Sequence, residues 1–119
     1  MGIFNGPSEN VVGGTTLASR NLLSGNGDSG VFISNSNGNR TQGNYVGTDR
    51  SGTKALGNED SGVFMNGAID NTVGGTTAAS RNLISGNDSD GVTISGGDSN
   101  EVIGNRIGTT TTGTGTLQR

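Results

Sequence analysis

Short runs in which apolar and polar residues alternate recur along the chain, each bounded by Gly and Asn. The clearest have the form V-x-I and begin at residues 31, 63 and 92, and a Gly-Ile-Phe segment at residue 2 matches them. Alternation over three to five residues predicts short β-strands with one buried face. No stretch has the 3.6-residue period of a helix, so the pattern predicts an all-β chain.

The strand starts are spaced by 29, 32 and 29 residues, so two coils of unequal length form a repeat of 61 residues. Residues 10–58 align without gaps on residues 71–119, with 26 identities in 49 positions. One such coil cannot bury its apolar face alone, whereas stacked coils can. We therefore expect a single domain over 1–119, a parallel β-helix of about four coils of 29–32 residues. The second double-coil repeat begins near 63–71.

Stacking about 4.8 Å apart aligns equivalent residues of successive coils into columns. The predicted inward columns are Val31, Val63 and Val92; Phe4, Ile33, Met65 and Ile94; and Val12, Thr41, Val73 and Val102. Corner positions of the longer coils are assigned to Val46, Leu56, Ile107 and Leu117. Asn also recurs at fixed coil positions, which predicts ladders of stacked amides. The two predicted asparagine ladders are Asn10, Asn39, Asn71 and Asn100, and Asn26, Asn58 and Asn87.

The amino-acid composition restricts the chemistry available to the chain more than it restricts the fold. The chain has 24 Gly and is only 27% hydrophobic, which is typical of disorder, but its apolar residues are in register. It contains no Cys and no His, so thiolate, disulfide and imidazole chemistry are excluded. A net charge of −3 without a basic stripe argues against nucleic acid. The chain shows no membrane-spanning run and no signal peptide.

The NTVGGT and RNLISGN segments, together with the V-x-I strands, resemble right-handed parallel β-helix repeats of the pectate-lyase-like superfold. They are similar to the tandem repeats of large bacterial cell-surface and secreted proteins. The resemblance implies right-handed winding and an extracellular or cell-surface parent protein. It says little about activity, because this superfold carries lyases, hydrolases, adhesins and structural stalks.

Acidic residues precede successive V-x-I strands and are expected at one corner of the solenoid: Asp28, Asp60 and Asp90. Such carboxylates could hold Ca²⁺ or act as an acid/base pair. A hydrogen-bonded turn explains them better, so we expect neither a cofactor nor a catalytic residue. Arg20 and Arg81, in matching SRN contexts, could grip an acidic sugar, but we favour capping of carbonyls or pairing with a neighbouring Asp at the same corner.

The middle residues of the V-x-I strands are expected to point outward, and three of the four are large and apolar: Ile3, Phe32, Phe64 and Thr93. An exposed apolar stripe usually marks an interface. We therefore expect a non-catalytic structural or interaction module that self-associates, through this stripe or by stacking end to end. Two alternatives stay open: a carbohydrate-binding or carbohydrate-active β-helix, and an engineered or metagenomic repeat sequence without a native activity.

Overall fold

The computed structural model describes residues 1–4, 6 and 8–111, and these residues form twelve short strands, two 3₁₀ helices and no α-helix. In chain order the strands are β1 (Gly2–Phe4), β2 (Val11–Gly13), β3 (Leu22–Leu23), β4 (Val31–Ser34), β5 (Arg40–Gln42), β6 (Tyr45–Val46), β7 (Val63–Asn66), β8 (Thr72–Gly74), β9 (Leu83–Ile84), β10 (Val92–Ser95), β11 (Glu101–Ile103) and β12 (Arg106–Ile107).

The strands form three parallel sheets, and the chain visits each sheet once per turn. The first sheet is ordered β1-β4-β7-β10, the second β2-β5-β8-β11, and the third β3-β6-β9-β12. Three consecutive strands make one layer, so layer one holds β1 to β3 and layer four holds β10 to β12. The predicted all-β parallel solenoid is confirmed. The solenoid has about three turns rather than the predicted four or so. Its strands lie in four layers, and the chain completes three turns between the first layer and the fourth.

The register of the inward columns follows the prediction except at the start of the chain. In layer four the predicted inward residues Ile94 and Val102 are in register but remain 48% and 38% exposed. Strand pairing sets Gly2 opposite Phe32 and Ile3 opposite Ile33, one residue away from the predicted alignment. Because side chains alternate between faces, this slip turns Ile3 into the core and Phe4 outward. Ile3 is 6% exposed and Phe4 is 53% exposed. The prediction that Ile3 points outward was therefore wrong, and so was the placement of Phe4 in the core.

The third sheet supplies an inward column of which the sequence pattern predicts only Val46 and Ile107. Register pairs its inward residues in the order Leu23, Val46, Ile84 and Ile107. Val46 is fully buried, as predicted, but Leu56 is 52% exposed and lies outside the core. Leu117 lies outside the described residues. The core is therefore a three-sided stack of aliphatic columns, closed most tightly in layers two and three.

Three asparagine ladders, not two, join the layers. In each, the backbone N–H and Nδ2 of one Asn donate to Oδ1 of the Asn in the next layer; Asn39 donates in this way to Asn71, at 2.8 and 3.1 Å. Both predicted ladders show these bonds. The third consists of Asn21, Asn44, Asn82 and Asn105. Asn39, Asn44, Asn58, Asn71 and Asn82 are buried, so these bonds stabilise the interior of the stack.

The unequal coil lengths come from loops on either side of the third sheet. In layers one and three, 3₁₀ helices over Leu17–Ser19 and Ala78–Ser80 precede the third strand. The hydroxyls of Thr16 and Thr77 bond to the Ser that ends each helix, so these Thr act as local caps. In layer two the third strand follows directly, and an extra loop closed by a bridge between Thr48 and Ala55 comes after it.

Thr41→Val is expected to raise the free energy of unfolding by about 1 kcal/mol, because it removes a buried hydroxyl that has no partner in the described chain. Thr41 is fully buried and stacks between Val12 and Val73 in an inward column. The matched control is Thr48→Val, since Thr48 is equally buried but donates to the Asp49 carbonyl at 2.9 Å. The control should lose stability in urea denaturation. A lower urea midpoint for Thr41→Val would contradict the burial argument.

Candidate functional site

The outer face of the first sheet carries a continuous stack of aromatic rings. Phe32 and Phe64 are paired in register, with ring centroids 5.2 Å apart and planes inclined by 8°. Phe4 stacks on Phe32 at 5.5 Å and 29°. These separations lie in the favourable range for aromatic pairs. The outward stripe predicted from the sequence therefore exists, but it consists of Phe4, Phe32 and Phe64; we call it the aromatic stripe.

Phe4 belongs to the aromatic stripe although it is not the residue in register with Phe32. Its ring lies over Gly2, which has no side chain. Gly2, not Phe4, is in register with Phe32, so the first layer has no side chain of its own in the column. The Phe4 ring folds over Gly2, where a Cβ would collide with the ring. The Phe4 ring, from two residues further along the chain, thus takes the place of the side chain that Gly2 lacks. This substitution could not be read from the V-x-I alignment, which placed Ile3 at the first position of the stripe.

The stripe ends in a polar residue at layer four. Thr93 is in register with Phe64, and its Oγ1 lies 2.7 Å from Ser61 Oγ and 3.3 Å from Asp90 Oδ2. Its hydroxyl is thereby turned toward the neighbouring corner. The aromatic stripe covers three layers, and the predicted interface residue Thr93 forms its polar end.

The predicted acidic corner lies beside the stripe and is made of hydrogen-bonded turns. Asp28 Oδ1 accepts from the Ser29 backbone N–H at 2.8 Å, and Asp60 Oδ2 lies 3.4 Å from Ser29 Oγ. Asp90 bonds to Thr93, as described above. Across residues 1–4, 6 and 8–111, no group of three or more Asp, Glu, His or Cys side chains could hold a metal ion. The structure thus does not bring Asp28, Asp60 and Asp90 together as a metal-binding group.

Hydrogen bonds hold the pKa of Asp49 below its ordinary value. Asp49 begins the loop of layer two, and a hydrogen bond from the Ser51 hydroxyl at 2.7 Å is the largest cause that lowers its pKa. Backbone N–H groups of Thr53 and Lys54 add to this effect. The lowered pKa means that the loop is stabilised above the ordinary Asp pKa and loses this contribution as the pH falls. Asp49 therefore orders this loop through the hydrogen bonds that its carboxylate accepts.

The two Arg of the SRN motifs lie on the outer side of the third sheet. The Arg20 guanidinium lies over the ring of Tyr45, 4.1 Å from its centroid. Arg81 Nε donates to the carbonyl of Gly104 in the next layer at 2.9 Å, so the expected carbonyl contact is present for Arg81. Among the described residues, neither Arg20 nor Arg81 pairs with an Asp. The same surface contains Arg106, which donates to the Thr111 carbonyl. All four side chains, those of Arg20, Tyr45, Arg81 and Arg106, line one pocket.

The fold places the chain in the class of parallel β-solenoids. No protein-family model matches the chain, and no curated protein or solved structure matches it significantly. Among the described residues there is also no helix that is long and apolar enough to span a membrane.

Proposed function

We propose that this chain is a non-catalytic structural and interaction module whose copies associate through the aromatic stripe. The observation that supports this proposal is the stack of Phe4, Phe32 and Phe64 on an otherwise polar outer face. The second outward column of the same sheet is polar in the next three layers, where it holds Ser34, Asn66 and Ser95. A row of rings beside a row of small polar side chains resembles the apolar centre and polar rim of an interface.

The stripe is only partly covered by its own chain. Phe32 and Phe64 are half-buried, because each ring shields the next, and Phe4 keeps 53% of its surface exposed. Covering aromatic surface is favourable at roughly 25 cal/mol per Å². A second copy that lays its own stripe against this face would bury rings from both chains. Such an isologous contact closes on itself and produces a dimer.

Stacking end to end is a second geometry for the same function, and the asparagine ladders support it. In the described part of the chain, no group donates to Oδ1 of Asn10, Asn21 or Asn26 in the ladders' first layer. At the opposite end, the backbone N–H groups of Asn100 and Asn105 donate to no group among the described residues. The two end faces are thus complementary. They would fit a neighbouring layer, whether it belongs to a longer chain or to a second copy.

Replacing Phe32 and Phe64 by Ser together is expected to shift the protein toward the monomer in sedimentation velocity. The change removes the centre of the stripe while leaving the inward columns intact. The matched control is the pair Leu17→Ser and Leu56→Ser, because these side chains are 74% and 52% exposed but lie outside the stripe. The control should sediment as the unchanged chain does. Circular dichroism checks that both variants keep their β-structure.

The masses measured by sedimentation distinguish association through the stripe from end-to-end stacking. A stripe contact gives a closed dimer, whereas head-to-tail stacking gives species that grow with concentration. If the double Phe variant sediments like the unchanged chain, the stripe is not the contact. A chain that is monomeric at every concentration tested would overturn self-association altogether.

Kinship with the β-helix repeats of bacterial cell-surface and secreted proteins is part of the same proposal. It rests on the NTVGGT and RNLISGN segments and on the confirmed solenoid. An extracellular or cell-surface location follows from that kinship. The sequence contains no His and no Cys, which removes imidazole and thiolate catalysis from the possible routes to turnover.

A further inference from the structure

We propose that the pocket on the third sheet binds a tetrahedral oxyanion, a phosphate or sulfate group, through Arg20, Arg81 and Arg106. This goes beyond self-association, since the pocket lies on a different sheet from the aromatic stripe. Three of the chain's seven basic residues meet here, in a protein of net charge −3. None of the described residues that line the pocket carries a carboxylate.

The layers bring these residues together from distant parts of the sequence. The outward column of the third sheet runs Leu22, Tyr45, Leu83 and Arg106. Arg20 and Arg81 directly precede the third-ladder residues of layers one and three. In the other two layers the corresponding residue is a glycine, so the long Arg side chains have room to extend over the next layer. Arg20 thereby reaches the ring of Tyr45 in layer two.

Each of the three guanidinium groups has one contact within the described chain, and each keeps hydrogen-bond donors available. The Arg20 guanidinium lies over the Tyr45 ring, and its N–H groups donate to no group among the described residues. Arg81 uses Nε on the Gly104 carbonyl, which leaves both terminal nitrogens. Arg106 uses Nη1 on the Thr111 carbonyl. Within the described chain none of the three forms an ion pair, because all their contacts are with a ring or with carbonyls.

Three guanidinium groups that have no carboxylate partner among the described residues are suited to an anion that accepts several hydrogen bonds. Guanidinium donors match the oxygens of phosphate and sulfate, and charge-assisted bonds of this kind are the strong ones. The pocket volume of about 180 Å³ is sufficient for one such group, with part of an attached molecule left outside. Mutual repulsion of the three Arg is relieved when the anion binds. The ligand is therefore an oxyanion, either free or carried on a sugar.

Tyr45 provides a specific signal, because it is the only Tyr of a chain without Trp. Titration with inorganic phosphate or sulfate, at ionic strength held constant with chloride, is expected to change the tyrosine emission and to saturate. Arg81→Gln and Arg106→Gln should each weaken the apparent affinity by about tenfold or more, the loss of one charge-assisted contact. Arg50→Gln removes the same charge from an exposed loop position outside the pocket and should leave the affinity within about twofold.

Glucose 6-phosphate distinguishes the two sources, with glucose as the uncharged control. Tighter binding of glucose 6-phosphate than of phosphate identifies a sugar-borne group, and equal binding identifies the free anion; both outcomes support the site. The proposal is overturned if neither anion gives a saturable change in emission, or if glucose alone gives the same change. It is also overturned if Arg50→Gln weakens binding as much as Arg81→Gln, because the effect would then be one of net charge.

Discussion

Asn71→Ala is expected to lower the free energy of unfolding by about 3 kcal/mol or more, because it breaks an asparagine ladder inside the stack. Asn71 is 1% exposed. Its Oδ1 accepts two hydrogen bonds from Asn39, and its Nδ2 donates to the carbonyls of Ser36 and Ile69 and to Asn100 Oδ1. Alanine removes the Asn71 amide and therefore all of these hydrogen bonds. Each buried polar group that loses its partner costs about 1–3 kcal/mol.

Asn10→Ala is the matched control, because it changes the same ladder at its exposed end. Asn10 donates to Asn39 Oδ1 at 3.0 Å, but its side chain is in contact with water. Its loss should cost about 1 kcal/mol or less, since water replaces the protein partner. Urea denaturation followed by circular dichroism measures both variants. Equal losses would show that burial of the ladder contributes little, and that backbone pairing alone stabilises the stack.

Much of the fold could be predicted because residues one coil apart in the sequence become neighbours in adjacent layers of the stack. The recurrence of Asn at a constant place in each coil predicted two ladders correctly. The third was missed because its members are separated by 23, 38 and 23 residues, so the coil period of 29 and 32 does not connect them. The signal was nevertheless present: each member opens an N-x-aliphatic segment, such as Asn21-Leu22-Leu23 or Asn44-Tyr45-Val46.

The errors at the first layer and at the pocket have physical reasons. The Gly-Ile-Phe segment at residue 2 fits either strand phase, and only the burial of Ile3 against Ile33 decides between them. In the 61-residue alignment Arg20 matches Arg81, but Arg106 matches Tyr45. Comparing equivalent residues of the repeat therefore does not predict that Arg106 shares a pocket with the other two Arg. The pocket forms because Arg side chains extend from one layer over the next. The right-handed winding implied by the resemblance stays a prediction.

The spacing between layers also explains why some glycines are required, and Gly43→Ala is expected to show this. Gly43 and Gly25 have the same φ of +68°, which an L-residue adopts at a cost of about 1 kcal/mol. They differ in their surroundings. A Cβ on Gly25 would meet nothing within 4 Å, whereas a Cβ on Gly43 would overlap the Gly14 carbonyl of the layer before and lie 3.2 Å from the Ala79 carbonyl of the layer after.

Gly25→Ala should therefore cost about 1 kcal/mol, and Gly43→Ala at least about 2 kcal/mol more. The extra loss arises because the methyl group must push apart backbones that are held at strand spacing by hydrogen bonds, among them Gly43 N–H to the Ser80 carbonyl at 3.1 Å. Since both variants share the same backbone penalty, the difference between their unfolding free energies in urea isolates the cost of separating the layers. Identical values for the two variants would mean that the stack expands freely at this corner, which is incompatible with fixed ladders on either side of it.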